Sequence, residues 1–199
     1  MFWLFFADKD DPLLVKNGPY RPFTFSHIMV VLLLFVAVYL VIRHLRQKEY
    51  RIRFLWVCSA YVLLVLLNVL KFVWDIYTGH FNVKEDLPLQ LCDIQMFAIP
   101  FAFFSRSKIG EYMREFVYAY GTMGFLLALI LPLPTLYDYP VFHFRSMQSM
   151  LYHTAMGFVA FMLPYLNYQP NVGNVRKVKG ILCTSNMCIV YRYCKYAAG

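Results

Sequence analysis

Charged residues are scarce in this chain. Only 15% of its 199 residues are Asp, Glu, Lys or Arg and 60% are hydrophobic, whereas a soluble domain has about a quarter charged residues. The opening "MFWLFF" is too short for the apolar region of a signal peptide and has no basic segment before it. Membrane insertion would therefore depend on the first spanning helix.

Several site classes are missing as well. The five cysteines, at positions 58, 92, 183, 188 and 194, have neither the spacing of a disulfide scaffold nor that of a zinc site. We therefore predict no disulfide bond, no bound metal and no cofactor. The net charge of +8 is not accompanied by a base-stacking or phosphate-cradling motif, so we expect no nucleic-acid partner.

Long apolar segments dominate the rest of the chain. Each is long enough to cross a hydrocarbon core about 30 Å thick. A further apolar stretch at 181–191 is followed so soon by the end of the sequence that we expect a short, truncated or altered sixth span. The sequence thus predicts an all-α, polytopic membrane helix bundle over 25–191, after an extracytoplasmic segment 1–24 and before a tail 192–199. Its five clear transmembrane helices fall near 25–42, 54–77, 87–104, 115–132 and 146–167.

The basic residues alternate between the two sides of the predicted membrane. Connections 43–53, 105–114 and 168–180 carry eleven Lys and Arg residues together, whereas the N-terminal segment and the other connections carry five. The positive-inside rule then places the N-terminus outside a multi-pass protein of the cell membrane. Proline within two apolar segments, Pro100 and Pro164, predicts kinks in the third and fifth helices.

Polar residues interrupt the second and third apolar segments. Asn68, Lys71 and Asp75 follow helical spacing, which places them on one face. That face either lines a wet interior or carries only a structural ion pair with a Lys that reaches the interface. On the third helix Gln90, Cys92, Asp93 and Gln95 cover more than half the circumference, so we expect this helix to lie centrally in the bundle. An ionisable residue such as Asp93 costs roughly 2.5–3.5 kcal/mol at that depth, so a function is expected of it.

The fifth segment contributes an imidazole. Ser146, Ser149 and His153 share a face, and His143 and Arg145 precede it. Counting from the outer ends of their helices, Lys71, Cys92 and His153 all lie roughly 8–11 Å below the outer interface. Three helices therefore converge on one layer. In the alternative, structural interpretation, Cys92 is only a small buried residue and His153 is a core residue whose hydrogen bonds are satisfied.

Two motifs carry a family resemblance. "LPLQLCD" and, two helices later, "FHFRSMQSMLYH" resemble the YwaF-like family of integral membrane proteins, which includes transmembrane protein 164, over about residues 55–165. The resemblance implies a cysteine-centred acyltransferase that moves fatty acyl chains between phospholipids. The family's central cysteine falls on Cys92 and its helix histidine on His153. Gln90 stands where a His is common, and the family's last helix has no clear match.

The residues fit this chemistry in outline. A nearby imidazole favours the thiolate form of Cys92, so His153 would take the proton while Asp93 orients the ring. Lys71 or Arg145 would hold the phosphate of a membrane phospholipid. The predicted substrate-binding set is Asn68, Lys71, Asp75, Gln90, His143 and Arg145.

Two other functions stay open. One is a small-molecule transport module, like the substrate-binding subunit of a vitamin importer, which has a similar size and span number. The other is a metal-dependent membrane hydrolase that would use His143, His153, Asp75 and Asp93, although their spacing is not diagnostic. The sequence leaves the oligomeric state open.

Overall fold

The described part of the chain is all α-helical, as predicted. A computed structural model describes residues 5–8, 11–12, 23–81, 91–131, 139–166 and 168. Within them lie five α-helices and one 3-10 helix: α1 (Phe25–Leu45), α2 (Tyr50–Tyr77), α3 (Leu91–Phe104), α4 (Lys108–Ile130), α5 (Phe144–Met162) and the 3-10 helix Leu163–Leu166. Each α-helix overlaps one predicted apolar segment. Gln90, the predicted sixth segment 181–191 and the tail 192–199 lie outside the described residues.

Two of these helices have the length and composition of membrane spans. α1 and α2 each contain an apolar window of which only 22% is buried, whereas the core helix of a soluble protein would be mostly buried. α3 has 14 residues, about 21 Å at the usual rise per residue, and is shorter than a hydrocarbon core. The five-span arrangement therefore stays a prediction.

The most central helix is α5. More than half of its residues are buried, and it packs against α1, α2 and α4. α3 packs mainly against α4 and leaves Phe97, Phe101 and Phe104 exposed. The expectation that α3 lies centrally was therefore wrong, although Gln95 on its inner face is fully buried.

Small residues explain the position of α5. A Cβ atom built on Gly121 of α4 would lie 2.7 Å from the Cβ of Ala160 on α5, closer than real Cβ atoms approach. One built on Gly157 of α5 would overlap the Phe125 side chain of α4. The two backbones approach closely only because side chains are missing at both positions.

The two prolines have different consequences. α3 continues through Pro100 to Phe104. The α-helical part of α5 ends at Met162, and Pro164 lies in the 3-10 helix that follows. Proline has no N–H with which to continue the α-helical hydrogen bonds, so the change of helix type there follows from its chemistry.

One end of the bundle carries the N-terminal segment and is here called the N-terminal end. Residues 5–8 lie against the last turn of α2 and the first turn of α5, where the Ala7 carbonyl accepts a hydrogen bond from His143 Nε2 at 2.9 Å. At the same end the His27 ring of α1 donates from Nε2 to the Leu129 carbonyl of α4 at 2.9 Å. Because that carbonyl belongs to the last turn of α4, the bond satisfies an acceptor that the helix leaves open.

Candidate functional site

A cluster of three charged residues lies at the N-terminal end of the bundle. Asp75 of α2 is 4% exposed. Its Oδ2 lies 3.3 Å from Lys71 Nζ, and its Oδ1 lies 3.5 Å from Arg145 Nε of α5. The predicted pairing of Lys71 with Asp75 is confirmed, and Arg145 is added from a second helix. We call Lys71, Asp75 and Arg145 the ionic cluster; it joins two cationic side chains to one carboxylate.

A second polar cluster surrounds Cys92, deeper in the bundle. Asn68 of α2 donates from Nδ2 to Asp93 Oδ1 of α3 at 3.3 Å. The Tyr152 hydroxyl of α5 donates to the Cys92 carbonyl at 3.0 Å and is also a hydrogen-bonding neighbour of the Asp93 carboxylate and the Asn68 side chain. We call Asn68, Cys92, Asp93 and Tyr152 the thiol cluster. Three helices thus contribute to it, but Lys71, which was expected in the same layer as Cys92 and His153, lies with Asp75 in the ionic cluster.

His153 lies beside the thiol cluster but is not bonded to it. A carbonyl oxygen only accepts hydrogen bonds, so the 2.8 Å contact between His153 Nδ1 and the Ser149 carbonyl puts a proton on Nδ1. In a neutral ring Nε2 then carries a lone pair, and this buried atom has no hydrogen-bond partner among the described residues. The ring contacts that of Tyr152 edge-on at 5.5 Å between centroids. No hydrogen bond joins His153 to Cys92 or Asp93 in the part of the chain that the structure describes.

His143 has a different role from the one its position in the sequence suggested. Its Nδ1 accepts from the backbone N–H of Arg145 at 3.2 Å, which caps α5, and its Nε2 donates to the Ala7 carbonyl. Burial, opposed by the hydrogen bond to Ala7 and aided by the nearby Arg145 guanidinium, holds the pKa of His143 below its ordinary value of 6.5. Both ring nitrogens are therefore occupied, and neither is available for a substrate.

Three buried polar residues were not predicted as site residues: Gln95, Gln148 and Tyr152. Gln148 donates from Nε2 to the Leu67 carbonyl of α2 at 3.1 Å and lies one helical turn before Tyr152. Gln148 and Tyr152 could have been identified from the sequence, because their i, i+4 spacing on the fifth segment marks a second polar face beside the one that carries His153. Gln95 is fully buried, and neither of its polar side-chain atoms has a partner in the described residues.

A metal-dependent hydrolase, one of the alternatives, would need a group of side chains that bind a metal ion. The described residues contain no group of three or more His, Cys, Asp or Glu side chains placed to hold a metal ion. In particular, Asp75 lies with Lys71 and Arg145, whereas Asp93 lies with Asn68 and Tyr152. The two carboxylates considered for a metal-dependent hydrolase thus lie in different clusters, and neither cluster includes His143 or His153.

The comparisons with known proteins identify the family. Searches of the curated proteins and of the solved structures each gave no match. The model of the TMEM164 family matches residues 22–192, which includes all five helices and both clusters. With the two long apolar helices, this match indicates a membrane protein. The chain therefore belongs to the TMEM164 family.

Proposed function

We propose that this protein transfers fatty acyl chains between membrane phospholipids through a thioester on Cys92. The observation that carries the proposal is the position of Cys92 in the first turn of α3, inside a polar cluster built by three helices. The proposal includes the five-span arrangement predicted from the sequence, with the N-terminal end outside. The basic residues of connections 43–53 and 105–114 support that orientation.

The relative depth of the two clusters matches the shape of a phospholipid. Lys71 follows Asn68 by three residues on α2, so the ionic cluster lies about one helical turn closer to the N-terminal end than the thiol cluster. In a phospholipid the phosphate likewise lies nearer the membrane surface than the ester carbonyls. A phosphate at Lys71 and Arg145 would therefore direct an ester carbonyl toward Cys92.

The charge of the ionic cluster supports the same assignment. Asp75 pairs its one carboxylate with two cations. The side chains of these cations, Lys71 and Arg145, are 21% and 15% exposed. Both cations are largely removed from water, in surroundings where an anion is bound more strongly than in bulk solvent. A phosphodiester brings one negative charge that both cations attract.

The proposed transfer has two steps. First, the Cys92 thiol gives up its proton, Sγ attacks the ester carbonyl, and the C–O bond to glycerol breaks; the glycerol oxygen leaves with the proton. Second, the hydroxyl of a lysophospholipid attacks the thioester, which forms a new ester and restores the thiol. His153 Nε2 holds the proton between bond-making and bond-breaking because its lone pair is unused. Tyr152 contacts both Cys92 and His153 and positions them.

The test is acyl transfer by purified full-length protein in vesicles of phosphatidylcholine with a labelled lysophospholipid. Cys92→Ala should abolish transfer, and wild-type protein should carry an acyl group on Cys92, detected by mass spectrometry and removed by hydroxylamine. Cys58→Ala is the matched control, because Cys58 is a free, half-buried thiol on α2 outside both clusters. His153→Ala should lower the rate by about 10²–10⁴. Transfer by Cys92→Ala protein at the wild-type rate would exclude the mechanism.

A further inference from the structure

The N-terminal segment docks onto the bundle beside the ionic cluster. Ala7 is 8% exposed, and its carbonyl is held by His143. The ring of Phe6 lies 5.7 Å from that of Trp74 and 5.5 Å from that of Phe144, measured between centroids. The segment therefore spans the gap between the end of α2 and the beginning of α5.

A second attachment lies just beyond the end of α2. Asp8 Oδ1 lies 2.6 Å from His80 Nε2, a contact that is an ion pair when His80 is protonated. The two residues that Phe6 contacts, Trp74 and Phe144, directly precede Asp75 and Arg145 in the chain. The segment is thus anchored next to both helices that supply the ionic cluster.

We propose that residues 5–8 form a cap over the ionic cluster, which must lift before a phosphate-bearing amphiphile can reach Lys71 and Arg145. The cap presents an apolar part, the aromatic rings, and an anionic group, the carboxylate of Asp8; such a ligand likewise has an apolar part and an anionic group. The cap would therefore compete with the ligand for the surface beside the ionic cluster. The existence of the cap is independent of the proposed function; only the identity of its competitor rests on it.

The attachments are suited to reversible opening. The side chains of Asp8 and His80 are 39% and 27% exposed, and ion pairs that water reaches contribute little to stability. Phe6 itself is 43% exposed. Among these contacts of residues 5–8, the Ala7–His143 hydrogen bond is the buried one, so His143 reports directly on whether the cap is closed.

The test is modification of histidines by diethyl pyrocarbonate in the full-length protein, read at each site by mass spectrometry. With the cap closed, His143 should be protected. Asp8→Asn and Phe6→Ala should each raise its modification several-fold. Glu111→Gln is the control, since it removes an exposed carboxylate from the first turn of α4, at the opposite end of the bundle from residues 5–8. His27 is the internal control: it is buried like His143, and its two ring nitrogens bond the backbones of Phe23 and Leu129, which lie outside residues 5–8.

Equal modification of His143 in wild-type protein and in both variants would overturn the proposal. So would a parallel rise at His27, because that outcome means general loosening of the bundle. For the competitor, phosphatidylcholine nanodiscs should raise His143 modification over the same protein in a maltoside detergent, which contains no phosphate, and Lys71→Gln should remove the difference. No difference in wild-type protein would refute competition. Cys92→Ala should leave all these results unchanged, which separates this test from that of acyl transfer.

Discussion

A pair of glycine substitutions tests the close packing of α4 against α5. A methyl group added at Gly157 would lie 2.5 Å from the Cβ and 2.8 Å from the Cδ2 of Phe125. Phe125 is 1% exposed, and its ring is held by those of Phe35 and Phe161 at 4.7 and 5.6 Å. Because atoms at the base of a fixed side chain are in the way, the helices must separate or Phe125 must leave its rotamer.

The magnitude follows from two opposing effects. Overpacking a core costs about 1–3 kcal/mol, and replacing Gly by Ala within a helix returns about 1 kcal/mol. Since several atoms of Phe125 are too close, we expect an overpacking cost in the upper part of that range. The free energy of unfolding of Gly157→Ala should then be lower than that of wild type by about 1–2 kcal/mol. At about 2–4 °C per kcal/mol for a chain of this size, Tm should fall by roughly 2–8 °C.

Gly124→Ala is the matched control at the same helix interface. The added methyl group there meets the terminal Cε of Met156, whereas Met156 Sδ lies 3.7 Å away. Met156 can move its end at little cost, so the helix propensity should prevail and Tm should stay level or rise. Thermal unfolding of both purified variants in one detergent gives the comparison. The reasoning is refuted if Gly157→Ala is as stable as wild type, or if Gly124→Ala is the less stable variant.

Three further predictions concern the site and the topology. Tyr152→Phe should remove an interhelical hydrogen bond worth about 0.6 kcal/mol and at most about 1.7 kcal/mol, so Tm should fall by a few degrees. The rate of acyl transfer should fall much more, and a rate equal to that of wild type would exclude a positioning role for Tyr152. The pKa of His143 is held below 6.5 by burial, so the unfolded chain takes up a proton first as pH falls. Stability should therefore be full above about pH 6.5 and decline below it. Thermal unfolding of His143→Asn should show a shallower decline, and identical pH profiles of the two proteins would contradict this. Cysteines introduced in 43–53 or 105–114 should resist impermeant reagents added outside intact cells, and labelling there would reverse the predicted orientation.

Hydrophobic patterning was sufficient to place the helices. Each described α-helix overlaps a predicted apolar segment, because the few charged residues of the chain gather mainly between those segments. The boundaries were less accurate where charges lie inside a helix. α4 begins at Lys108 rather than near 115, since its first two turns carry Glu111, Arg114 and Glu115 and do not register as apolar.

Local contacts within one helix were likewise predictable. The Lys71–Asp75 ion pair follows from i, i+4 spacing, which brings side chains together on any α-helix. The grouping of Asn68 with Lys71 and Asp75 on one face has the same origin. The resemblance of "LPLQLCD" to its family also depends on sequence alone, and the match to the TMEM164 family over residues 22–192 confirms it.

Contacts between helices were decided only by the tertiary structure. Which helix lies at the centre depends on the small residues of α4 and α5 together, and no single segment reveals that pairing. The bond from Tyr152 to the Cys92 carbonyl, the addition of Arg145 to Asp75 and the use of His143 to hold Ala7 each join residues far apart in the chain. Periodicity gives the face of a helix on which a side chain lies, but the group opposite that face is set by how the helices pack.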